Sequence, residues 1–78
     1  MFTCYVRYSI VKKDDIVKVI DNLSVYGTVM VYTSQDGRTY HICQPCTSGT
    51  LEQHLGKIRN LQKNGVSIQN VNTTIQEG

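Results

Sequence analysis

The feature that most constrains this chain is an Asp-Gly pair at its centre, set between two alternating segments. Residues 28–33 (TVMVYT) and 38–43 (RTYHIC) flank Ser34-Gln35-Asp36-Gly37. A short polar linker ending in Asp-Gly between such segments is a strong hairpin signal, because Gly and Asp tolerate the left-handed backbone a tight reversal needs. Two antiparallel neighbours are therefore expected in mid-chain, and the rest must fold around them. Residues 2–11 (FTCYVRYSIV) add a third strand, with Phe2, Cys4, Val6, Tyr8 and Ile10 on one face and Thr3, Tyr5, Arg7, Ser9 and Val11 on the other. Val, Ile and Thr supply 24 of the 78 residues and Ala none. Stiff branched side chains of this kind favour a sheet as the organising layer.

Two helices fit between the strands. In KKDDIVKVIDNLSVYG, Ile16, Val19, Ile20 and Leu23 recur at i, i+3, i+4 and i+7, and Asp14 and Asp15 suit the positive end of a helix dipole. A stop falls in residues 24–27. Thr50 with Gln53 three residues on resembles a capping box, and Leu51, Leu55, Ile58 and Leu61 form the stripe behind it. Asn64-Gly65 supplies a left-handed stop. The polar, branched tail predicts an edge strand over residues 66–74. The order β-α-β-β-α-β predicts one domain over residues 1–78, an α+β ferredoxin-like fold with a four-stranded antiparallel sheet and two helices on one face.

Net charge is +2 and evenly spread. No apolar run approaches the roughly 20 residues of a membrane span, and no signal-peptide core opens the chain, so no membrane partner is expected. Three cysteines, Cys4, Cys43 and Cys46, are an odd number, which points to a reducing cytoplasm and three free thiols. A second reading makes His41, Cys43, Cys46 and His54 the ligands of a structural zinc, since two thiolates and two imidazoles close a tetrahedral site. A third takes Cys43-Gln44-Pro45-Cys46 as a redox pair. The main reading needs no cofactor. No phosphate-binding loop, nucleophile elbow or metalloprotease helix is present, so the chain is expected not to be an enzyme. Ser48-Gly49-Thr50 before a helix offers only a generic anion site.

The remaining surface is the sheet face the helices leave open. Tyr5 and Arg7 project from it, joined either by Arg38, Tyr40 and Ile42 or by Thr39, His41 and Cys43, depending on register. Tyrosine and arginine are favoured anchors of protein interfaces. The expected function is thus a small cytoplasmic binding module, an inhibitor or accessory regulator that sterically occupies a surface of a larger protein or complex. Small phage-encoded inhibitors, anti-CRISPR and host-takeover proteins among them, share this profile of size and style. Its partner-binding residues would be Tyr5, Arg7, Arg38 and Tyr40, with Lys57 and Lys63 on the rim. The alternative use of the same face is stacking of single-stranded RNA. The last strand's edge offers a route to a homodimer or to strand addition.

Overall fold

The computed structural model describes residues 2–77. Strand β1 (Phe2–Ile10) leads into helix α1 (Asp14–Leu23), which ends in one 3-10 turn (Ser24–Tyr26). The hairpin strands β2 (Met30–Thr33) and β3 (Tyr40–Cys46) follow, then α2 (Leu51–Lys63) and β4 (Ile68–Glu77). The four strands make one antiparallel sheet in the order β2-β3-β1-β4. Val6, Tyr8 and Ile10 of β1, with Ile42 of β3, join Val19 and Leu23 of α1 and Ile58 and Leu61 of α2 in a single buried cluster. Both helices therefore cover the same sheet face. The side chain of Phe2, expected on that face, lies outside the described residues. Neither helix is long and apolar enough to cross a membrane.

The hairpin forms where Asp-Gly places it. Gly37 takes a φ of 72°, its N–H donates to the Ser34 carbonyl, and the Ser34 N–H donates to the Thr39 carbonyl. The Asp36 carboxylate accepts the Ser34 hydroxyl and the Arg38 N–H (3.0 Å for the latter), which hold it below its ordinary pKa. At the end of α2, Gly65 (φ 90°) donates to Gln62 and Val66 donates to Leu61. This pair of bonds is a Schellman stop, and it buries Val66 as the following apolar residue. That is why β4 begins at Ile68 rather than at 66, and it then runs on to Glu77.

Other expectations are corrected. Ile20 is 40% exposed, because the buried arc of α1 runs through Asp15, Val19 and Leu23 and leaves Ile20 at its rim. Asp15 is no simple dipole group. Its carboxylate accepts the N–H (2.9 Å) and hydroxyl (2.8 Å) of Ser67, which lower its pKa and draw that side of the helix inward. The capping box does not form. Thr50 has φ −118° and ψ 0°, outside the extended backbone that capping requires, and its hydroxyl pairs with Thr47 at 2.7 Å.

Strand β3 continues through Gln44-Pro45-Cys46, where a loop was expected. Beyond Cys43 it has no β2 residue opposite it, so the missing N–H of Pro45 costs no bond on that side. Gln44 points into the core and is fully buried. Its amide donates to the carbonyls of Leu23 and Gly27 (3.0 Å for the latter), and its Oε1 accepts from His54 Nε2 at 3.1 Å. One side chain thus ties β3 to the end of α1, to the link before β2 and to α2. Gly27 (φ 148°) packs so closely on Pro45 that a Cβ there would lie 2.9 Å from the proline Cγ.

The candidate binding face

Residues directly opposite in an antiparallel sheet point to the same side, so the register assigns the open face row by row. The first row sets Thr74, Tyr5 and Pro45 side by side. The second sets Asn72, Arg7, Cys43 and Met30. In the third, Gln69, Ser9, His41 and Tyr32 line up, with Ser9 Oγ 3.3 Å from His41 Nδ1. Between the last two rows β4 carries one extra residue: the register shifts between Arg7 and Ser9, and Asn70 adopts φ 57°. Such a bulge re-aims its side chain, and asparagine tolerates the left-handed backbone. Asn70 joins Arg7, Tyr32, His41 and Asn72 around a shallow open concavity of about 500 Å³.

Of the expected interface residues, the structure places Tyr5 and Arg7 on this face, the first half-buried and the second exposed. Tyr40 lies on the other side, half-buried against the core. Arg38 sits exposed in the hairpin turn, outside the strands. Lys57 and Lys63 belong to α2, across the sheet from Tyr5 and Arg7. The second register alternative is the one adopted, with His41 and Cys43 open, while Thr39 precedes β3. Tyr32, Met30 and Asn72 complete the face and were not anticipated. The hairpin register, which sets Tyr32 against His41, is the signal that would have found the first of them.

The cysteine and histidine expectations change most. Cys4 and Cys46 form a disulfide across β1 and β3, and only Cys43 remains a thiol. The three-thiol expectation is corrected, and the cytoplasmic assignment loses the support it drew from it. His41 and Cys43 lie on the open face, whereas Cys46 is bonded to Cys4 and His54 is buried with Gln44 on the helix face. The four do not converge, and no metal-binding group appears among the described residues. Cys43 and Cys46 are no redox pair, since Cys46 is already bonded to Cys4.

His54 has a structural role. It stacks on Tyr26 with ring centroids 4.7 Å apart, and burial lowers its pKa. The neutral ring donates from Nε2 to Gln44, leaving Nδ1 without a partner among the described residues. The Tyr8 hydroxyl is likewise buried and unpaired, and burial raises its pKa. Comparison with protein-family models, with curated proteins and with solved structures finds no match to this chain.

Proposed function

We propose that the chain is a non-enzymatic binding module that docks on a larger protein through its open sheet face and acts by occupying that surface, as an inhibitor or accessory regulator does. We read its topology as ferredoxin-like, the arrangement that leaves one sheet face free while both helices cover the other. The observation that carries the functional reading is the make-up of the three rows. Two tyrosines, Met30, Pro45, Asn72 and Thr74 surround a single charge, Arg7, with no lysine and no carboxylate among them. Protein interfaces are enriched in Tyr, Met and Arg and depleted in Lys, Asp and Glu. A nucleic-acid surface needs several cations to meet successive phosphates, and here the other seven lysines and arginines lie off these rows. The lone guanidinium selects a partner surface that brings a carboxylate, which it holds through two parallel N–H bonds. The Cys4–Cys46 bond favours a working compartment that keeps it oxidised.

The test is retention of a partner on immobilised protein, compared between the wild type and the Tyr5→Ala/Arg7→Ala variant. Both side chains lie outside the core, so the variant should melt with the wild type and lose the partner. Equal retention by both proteins would move the interface elsewhere. Retention that is nuclease-sensitive and collapses steeply with salt would replace this reading with the RNA one.

A further inference from the structure

We propose that two copies of this chain associate through the free edge of β4, antiparallel, with the α2 helices of the two copies packed against each other. In the order β2-β3-β1-β4, one side of β4 is bonded to β1 and the other has no strand beside it among the described residues. Edge strands are normally protected by lysine, proline, inward charge or a bulge. From Ile68 to Gln76 this strand has no charge and no proline, and its bulge at Asn70 guards only the first part. Beyond it, Val71 and Ile75 stand 38% and 63% exposed on the helix side of the sheet.

A pair of identical antiparallel strands is centred on a twofold axis. Centring it on Thr73 sets Val71 opposite Ile75 of the second copy, twice over, with Thr73 on Thr73 between them. Centring it on Asn72 or Thr74 sets Val71 or Ile75 against threonine instead. The Thr73 register is therefore the one that covers both exposed apolar side chains.

The same axis fixes what the helices do. Leu51 lines a groove with Ile75, and Leu55, Ile58 and Arg59 line the next one with Val71 and Thr73. Stepping back two strand residues from Ile75 covers about 7 Å, which is four to five residues of helix. Thr73 is thus level with Leu55 and Gly56. A twofold at that level lays Leu55 on Gly56 of the second copy and brings Glu52 to Arg59.

Two independent facts fit this pairing. Gly56 lies exposed in the middle of α2, and nothing stands within 4 Å of where its Cβ would be. A mid-helix glycine weakens the helix relative to alanine, and among the described residues nothing uses the missing side chain. A second helix seated there does use it. Glu52 and Arg59 are both exposed, oppositely charged and two turns apart on α2, Arg59 beside Val71 and Thr73, without an ion-pair partner among the described residues.

The experiment is sedimentation equilibrium on the untagged, oxidised protein with four sets of variants. The wild type should dimerise. Gly56→Gln should melt higher than the wild type, because it removes a mid-helix glycine, yet raise the dimer Kd at least tenfold. Val71→Lys/Ile75→Lys should do the same to Kd without unfolding the chain. Glu52→Arg and Arg59→Glu should each weaken the dimer, and the two together should restore it. A wild type still monomeric at about 1 mM, a dimer indifferent to Gly56→Gln and Val71→Lys/Ile75→Lys, or single charge swaps that the double swap does not rescue would each overturn the proposal. Tyr5→Ala/Arg7→Ala should leave the dimer intact, so this test is separate from that of the open face.

Discussion

Gln44→Leu is the sharpest single test of how the domain holds together. The substitution keeps the side chain's bulk but removes its polar atoms from a site with no solvent access. Three groups then lose a bond: the buried Leu23 carbonyl, the half-buried Gly27 carbonyl and the buried Nε2–H of His54. Each orphaned group costs about 1–3 kcal/mol, so the loss comes to about 3–6 kcal/mol when the protein relaxes partly. The whole domain has about 4–12 kcal/mol of stability at this length. With a urea m-value of about 1–1.5 kcal/mol/M, the unfolding midpoint should fall by about 2–6 M. His54→Phe supplies the matching perturbation. It orphans the Gln44 Oε1 but also removes the unpaired Nδ1 and keeps a ring on Tyr26, so alone it should cost little. Combined with Gln44→Leu, it should recover the share belonging to the Nε2–H, about 1–2 kcal/mol, leaving the two carbonyls without the Gln44 bond. A midpoint change in Gln44→Leu worth less than about 1 kcal/mol would refute the reasoning, since an average point substitution does as much.

Other outcomes follow from the same geometry. Reducing the Cys4–Cys46 bond, or replacing both residues by serine, should lower stability by about 4 kcal/mol on the chain-entropy account for a loop of this length, given a separation of 42; Cys43→Ser in the oxidised protein should leave the denaturation midpoint where it is. Because burial lowers the pKa of His54, the unfolded chain takes up a proton below pH 6.5 that the folded chain refuses. The contribution of this group is therefore full above pH 6.5 and declines as pH falls below it, by at most about 1.4 kcal/mol per pH unit; His54→Phe should remove that slope from a series of denaturation curves. Gly27→Ala should cost about 1–3 kcal/mol, because it meets both an unfavourable φ and Pro45, whereas Gly49→Ala, with open space at its Cβ, should be close to neutral by thermal melting.

The element order was readable because each segment carries its own period and the Asp-Gly turn pins the centre. The phase of β3 was not. In Tyr40-His41-Ile42-Cys43 both alternations contain residues that tolerate burial, and the phase that won continues into Gln44, which reads as solvent-facing on any hydropathy scale. Gln44 is inside only because carbonyls at Leu23 and Gly27 and the ring of His54 meet it there, and those are tertiary facts. The disulfide was hidden for the same reason. Once Tyr8 is set against Ile42, antiparallel counting brings Cys4 to Cys46, but nothing local chooses that register. Asp15 and Ser67, 52 residues apart, are another such pair. The open face inherited the error directly, because one wrong step in β3 exchanges Tyr40 for His41.

The division of labour between the two faces bears on how the proposed dimer would work. Among the described residues the buried polar devices, from the Gln44–His54 pair to Asp15, and the disulfide lie on the helix side, so the three rows of the open face, Pro45 with its contact to Gly27 apart, vary without touching what holds the fold. An antiparallel pairing of β4 on a twofold at Thr73 has its axis perpendicular to the sheet. It therefore joins the two sheets into one and turns both open faces to the same side. Two Arg7 guanidiniums, each ringed by uncharged side chains, would then face a partner together. Binding of the second copy to a broad or repeated surface becomes intramolecular once the first has docked, and its effective concentration is set by the rigid spacing across the joined sheet. Gly56→Gln should consequently weaken capture of a multivalent partner while leaving the affinity for one isolated binding site unchanged. The opposite pattern, equal losses on both, would show that α2 contacts the partner itself.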